Sequence, residues 1–283
     1  MPDEPFLDLN EYHDELALKL RLRLKEIAYF IRTIDSAINN YSSDNIKDES
    51  ILIPPPLGSL SKLEEERLLS NTPNIATRLA VLDMIAATED ALRQAWILPR
   101  AMDKLIDLYG YLLLKEQEWE SIWDNESKTV ETLSFGQVVG GIAEYMHHIA
   151  PDVIPSDWKI EKKLKKYVKF RNCIAHRLGF VGEKDLGKNN ETLTIEWRAL
   201  EFRVDDKLIN RQPMKTKEVS QVEIRRGNRS KVWRLGQQID VLPEEGQAIA
   251  VDLYLCFQNF TRPLMGIAAK RGNAANDTKR AAG

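Results

Sequence analysis

The sequence predicts a mainly α-helical protein, an antiparallel helical bundle that carries a small antiparallel β insertion. Three observations carry this. Apolar residues recur at intervals of three and four through most of the chain, the period of a helix with one buried face. Leu, Ala, Lys and Glu are abundant and glycine is held to 14 of 283 residues, which suits helix. Beyond Gly179 the apolar period drops to two for a few short runs, the signature of half-buried strands. With 43% apolar residues the chain has enough material for a sizeable core.

The elements follow in order. Asn10 is placed to cap a helix reaching about Asn40, with Leu16, Leu20, Leu24, Ile27, Ile31, Ile34 and Ile38 as its buried stripe. A polar stretch ending in Pro54-Pro55-Pro56 and Gly58 reads as a linker, so residues 1–58 form an N-terminal helix plus a Pro-rich connection. A short helix is expected over Ser61–Leu69. Thr72-Pro73 then reads as an N-cap and first helical residue, opening a helix that Pro99 stops or kinks. Another runs from Met102 to about Trp119, and a turn at Asp124-Asn125 follows Trp123. Ser134-Phe-Gly-Gln137 is a capping box, and its helix presents Val138, Val139, Ile142, Tyr145, Met146 and Ile149 on one side until Pro151.

The next helix holds the chemistry. Ser156 caps a run from Trp158 to Leu178 with eight Lys/Arg against one Glu, in a chain of formal net charge −3. On a helical wheel Leu164, Tyr167, Val168, Ile174, Ala175 and Leu178 form an apolar stripe, with Arg171 near its middle. Asn172 and His176, four apart, stack on its flank. A guanidinium on an apolar face needs an anion or a partner subunit to meet it.

Past Gly179, Leu193, Ile195 and Trp197 alternate with polar residues. Leu200, Phe202 and Val204 alternate on the opposite parity, which predicts a bulge or turn near Ala199. Val222-Glu-Ile224 and Val232-Trp233 flank Gly227-Asn228 like the arms of a hairpin. Residues 183–243 are therefore read as the β insertion. Helix returns from about Glu245 to Met265, and 269–283 reads as a disordered tail. The bundle itself is assigned to residues 59–182 plus 244–268.

Composition removes several function classes. Cys173 and Cys256 make neither a disulfide framework nor a metal-ligand pair, and no His-Glu-x-x-His pattern exists among His13, His147, His148 and His176. Glycine-rich phosphate loops and Gly-x-Ser-x-Gly are absent. No run of 18 apolar residues exists. The expectation is a cytoplasmic protein with no metal or cofactor and no membrane partner.

Arg171-Asn172-Cys173-Ile174-Ala175-His176 resembles the Arg-x(4–6)-His motif of the HEPN superfamily, in which Asn commonly follows the Arg. The resemblance extends over roughly Thr72–Phe180 and the last helix. It excludes the β insertion and does not securely include the N-terminal helix. It implies a helical-bundle homodimer in which two such helices face one another, acting as a metal-independent endoribonuclease. Arg171, Asn172 and His176 would be catalytic: His176 as acid and base, Arg171 on the scissile phosphate, Asn172 orienting His176 or holding a phosphate oxygen. Such proteins serve as toxins or antiphage effectors restrained by an antitoxin or regulatory partner.

RNA contact is assigned to Lys162, Lys165, Lys166, Lys169 and Arg177 on the basic helix, because six lysines beside one acid exceed what solubility requires. Arg225, Arg226 and Arg229 near the expected hairpin turn join them, although edge strands also carry charge to block aggregation. The competing readings are structural. Arg171 would pair with an internal carboxylate such as Glu144, His147 and His148 would be solvated, and Trp119 and Trp123 would be core. A non-catalytic HEPN-like binding module and a plain helical scaffold remain as alternatives.

Overall fold

The computed structural model describes residues 9–39, 62–110, 116–151, 159–186, 192–204, 207–208 and 222–282. Among these the chain is mainly helical with a small antiparallel sheet, as the sequence predicts. The elements are α1 (Leu9–Asn39), α2 (Lys62–Tyr109), α3 (Glu116–Glu131), α4 (Phe135–Ile149), α5 (Lys159–Arg177), β1 (Thr192–Val204), β2 (Lys207–Leu208), β3 (Val222–Arg234) and α6 (Pro243–Ala282). The Pro-rich linker and the Ser156 cap lie outside the described residues.

α1, α2 and α6 pack against one another, α3 lies on α2, and α4 and α5 close the other side. In α1 the expected stripe is buried at Leu16, Leu20, Leu24, Ile27 and Ile31. Those residues belong to the same core as Met84 and Leu92 of α2, Phe257 of α6 and Ile142 of α4. The N-terminal helix is thus part of the bundle rather than an appendage.

α2 departs from the sequence expectation. It is one helix of 48 residues, about 72 Å long, with both Pro73 and Pro99 inside it. Neither proline opens or ends a helix. An interior proline loses a backbone bond and clashes with the preceding turn, costing about 3 kcal/mol. Around Pro99 that cost is met by burial on both sides, at Ala95, Trp96, Ile97, Leu98, Ala101 and Leu105. α2 ends instead at Gly110, whose φ of 73° lets its N–H return to the Ile106 carbonyl at 2.7 Å. Trp119, Trp123 and Asp124-Asn125 then all fall inside α3 rather than at a helix end and turn.

The capping box of α4 forms as read. Ser134 Oγ accepts from the Gln137 N–H at 3.4 Å, and the Ser134 N–H donates to Gln137 Oε1 at 2.8 Å.

The β insertion is a long ribbon, not a short hairpin. β1 and β3 pair antiparallel without interruption from Thr192↔Arg234 to Val204↔Val222, and β2 pairs with the end of β1. Ala199 sits opposite Gly227 in regular register, so no bulge occurs there, and Gly227-Asn228 lies mid-strand. At its root, the Val181 N–H donates to the Gln237 carbonyl and the Ile239 N–H to the Gly179 carbonyl. The proximal half of the ribbon buries Leu193, Ile195, Trp197 and Trp233 in the bundle core.

α6 also exceeds its expected span. Residues 269–282 continue the helix rather than forming a disordered tail. Ile267 and Ala268 are buried, and Arg271 Nε reaches Asp103 Oδ1 at 3.1 Å, so tertiary contact carries the helix past Met265.

Candidate functional site

α5 buries Leu164, Tyr167, Phe170, Cys173 and Ile174. This line differs from the stripe drawn on the helical wheel. Val168 is half-buried, Ala175 is exposed, and Leu178 lies past the helix end at 80% exposure. The difference arises because α5 is covered from two directions, by α2 and α4 on one side and by β1 and α6 on the other. Arg171 therefore stands on the flank of the buried line.

The Arg171 side chain is 32% exposed, and its partners are local and few. Nη1 donates to Asn172 Oδ1 at 3.1 Å, and Nη2 lies 4.0 Å from Glu89 Oε2. Its Nε is buried without a hydrogen-bond partner. An unsatisfied buried donor costs about 1–3 kcal/mol. Glu89 also accepts from Arg93 Nη2 at 2.6 Å, and Arg93 donates to the carbonyls of Val130, Glu131 and Leu133 at the end of α3. One carboxylate thus serves two guanidiniums.

Sequence reasoning missed Glu89 and Arg93. Their spacing of four is a visible helical ion pair, but nothing local says which neighbouring helix that pair faces. Glu144, the carboxylate suggested as a structural partner, lies elsewhere. It lines a cavity of about 500 Å³ with Trp96, Arg100, Asp103, Tyr145 and His148.

His176 sits exposed in the last turn of α5, with no hydrogen-bond partner among the described residues. Five residues separate it from Arg171, about 140° around the helix, and the structure does not bring the two side chains together. Asn172 is turned to Arg171, not to His176.

The chain reverses directly after His176. Leu178 takes φ 53°, the one non-glycine residue at positive φ among those described, and Gly179 takes φ 83°. A left-handed L-residue costs about 1–2 kcal/mol. Arg78 Nη1 donates to the Leu178 carbonyl at 3.3 Å and holds the turn against α2. Leu178 and Phe180 are exposed close in sequence to His176.

The expected RNA-contacting cations divide. Arg177 is committed to structure: Nε donates to Asp185 Oδ2 at 2.9 Å, Nη2 donates to Oδ1, and Asp185 is buried. Lys165 pairs with Glu161, and Lys166 with Glu196 at 2.7 Å. Lys162 lines a cavity against α6, and Lys169 is half-buried. Arg229 lies in β3 opposite Trp197. Arg225 and Arg226 are β3 positions whose side chains lie outside the described set, and they flank no turn.

The remaining reactive groups have structural surroundings. Burial, with the charge of Asp185, pushes the Cys173 thiol up to about 11, and Sγ donates to the Phe180 carbonyl at 3.2 Å. Burial also pushes Cys256 up to about 12. Both are thiols at neutral pH rather than nucleophilic thiolates. His13 is buried against Phe257 with Nε2 2.9 Å from Thr261 Oγ1. Trp119 and Trp123 pack partly buried against the core. Among the described residues, no three His, Cys, Asp or Glu side chains converge to hold a metal ion, and no helix is long and apolar enough to cross a membrane.

No protein-family model, curated protein or solved structure matches the chain.

Proposed function

We propose that this protein is a metal-independent endoribonuclease of HEPN type that works as a homodimer. The observation that carries the reading is the constellation on α5: Arg171 followed by Asn172, with His176 five residues on and exposed on a helix rich in lysine. Arg171 has a donor unspent, and besides Asn172 the carboxylate beside it is shared with Arg93. A phosphate that drew the guanidinium off Glu89 would supply the missing acceptor. His176 is followed by the exposed apolar residues Leu178 and Phe180, a surface suited to a second copy of the chain. Two facing copies place two imidazoles and two guanidiniums in one cleft.

The reaction balances with these groups alone. RNA supplies the nucleophile in its 2′-OH. One imidazole takes the 2′ proton as oxygen attacks phosphorus, and the bond to the 5′ oxygen breaks. The leaving oxygen takes a proton from the second imidazole. The Arg171 guanidinium offsets the negative charge that grows on the phosphorane oxygens. The products are a 2′,3′-cyclic phosphate and a 5′-OH. The proposed site of action is the cytoplasm, and a toxin or defence effector of this kind needs a regulatory partner to restrain it.

The test is cleavage of labelled RNA in the presence of EDTA. His176→Ala is expected to reduce the rate at least a hundredfold, within the usual ~10²–10⁴ for a general acid–base. Wild-type rates in that variant would overturn the proposal. A second reading draws on the Arg171–Glu89 ion pair: a non-catalytic binding module in which Arg171 is structural. It predicts that wild type retains RNA binding but never releases a cyclic phosphate.

A further inference from the structure

Lys159, Lys162, Lys163 and Lys166 occupy i, i+3, i+4 and i+7 of α5 and share a face distinct from that of Arg171. They line one side of a cavity of about 350 Å³, whose other walls come from β1, β3 and α6. That volume lies within the ~300–1,000 Å³ typical of small-molecule sites. At 1.5 Å per residue its centre lies roughly 20 Å along α5 from His176.

The cavity is built around one buried carboxylate. Asp252 of α6 is 1% exposed and accepts from Lys163 Nζ at 2.6 Å, Tyr167 Oη at 2.8 Å and the Arg198 backbone N–H at 3.0 Å. A single group thus locks α5, α6 and β1 in register and fixes the walls in advance. On the rim, Lys166 donates to Glu196 at 2.7 Å. Lys163 and Lys166 pair with the two carboxylates of the lining, Asp252 and Glu196, and Lys159 and Arg198 add positive charge beyond those pairs. Holding like charges together in a concave site is unfavourable unless an anion joins them.

The neutral lining narrows the class of anion. Asn228, register partner of Arg198, and Asn259 supply amides able to donate and accept, and Ile160 and Leu255 supply apolar wall. This combination suits a phosphate tied to a base and sugar rather than a bare inorganic ion. We infer that this cavity between α5, the β ribbon and α6 is a nucleotide-phosphate site, separate from the Arg171/His176 end of the helix. The phosphate belongs either to a free nucleotide or to an RNA strand. The inference does not rest on the ribonuclease reading.

Binding to the full-length chain is measured with four probes: ADP, tripolyphosphate, adenosine, and a short 5′-phosphorylated RNA. ADP is expected to bind more tightly than tripolyphosphate, both more weakly as salt rises, and adenosine is not expected to bind. The double variant K159Q/R198Q is expected to weaken binding about tenfold or more, as loss of charge-assisted contacts does. His176→Ala is expected to leave it unchanged, so failure here is distinguishable from failure of the cleavage mechanism. RNA binding that K159Q/R198Q abolishes, with no ADP binding, assigns the phosphate to a strand. In wild-type protein, bound ADP or RNA should also protect Lys159 and Lys162 from acylation, which decides the matter if the double variant does not fold. Absence of binding by every probe, full affinity in a folded K159Q/R198Q, or unprotected lysines would overturn the inference.

Discussion

Glu89 decides what Arg171 is at rest. Its carboxylate is 13% exposed and has Arg93 at 2.6 Å, so the more distant Arg171 is the guanidinium with interaction to spare. A second carboxyl shows how surroundings set a residue's behaviour. Asp103, beside the Tyr145 hydroxyl and Arg271, has its pKa raised chiefly by burial, with Asp107 adding to the rise and Arg271, Tyr145 and Arg100 opposing it. The folded chain therefore holds this proton more tightly than the unfolded chain. The contribution to stability is complete below the ordinary Asp value of about 3.9 and is lost as pH rises through the raised folded value. Urea unfolding of wild type and Asp103→Asn across that window should show wild type losing stability relative to the variant as pH increases. A difference independent of pH would mean that Asp103 titrates normally in the fold.

Helix ends carry more information here than helix middles. At the end of α5, Gly179 combines φ 83° with a neighbour so close that an added Cβ would lie 2.8 Å from Arg78 Nη1. Gly179→Ala should cost about 1–2 kcal/mol, from left-handed strain and displacement of Arg78. Chemical denaturation measures this, and a loss under about 0.5 kcal/mol, the scale of an ordinary surface substitution, would show that the turn adapts. The same contrast explains what the sequence made legible. The Ser134–Gln137 box and the α1 stripe as far as Ile31 are local patterns, and both formed. Pro73, Pro99 and Gly227-Asn228 are also local signals, yet each lies inside a continuous element. Burial around Pro99 and the full-length pairing of β1 with β3 outweigh a breaker's local preference. For the candidate site, the residues of the motif were legible but their neighbours were not. Periodicity on α5 could not show that two layers cover it, so it placed Arg171 in mid-stripe and left Glu89 unseen.

At the scale of the whole molecule, the apolar surface near His176 calls for an account. A core continuous from α1 to α6 leaves the bundle no internal reason to expose Leu178 and Phe180 together at one turn. Scattered exposed apolar residues are ordinary, but two at a strained turn beside His176 suit the contact surface of the proposed dimer. If a second copy covers it, Leu178 sits near the two-fold axis, where each copy meets the same patch of the other. Leu178→Asp is a clean probe because Asp tolerates the left-handed conformation that position requires, so the turn itself is not strained further. Across an isologous contact it sets two like charges together in an apolar setting. Sedimentation velocity should show wild type as a dimer and Leu178→Asp as a monomer with unchanged circular dichroism, and RNA cleavage should fall in step with dimer content. Leu178→Asn separates the causes: it keeps the turn and adds no charge, so an Asn variant that still dimerises and cleaves while the Asp variant does neither locates the effect at the interface. A wild-type chain that sediments as a monomer yet cleaves RNA would remove the dimer from the mechanism and require Arg171 and His176 to act from a single helix, about 140° apart.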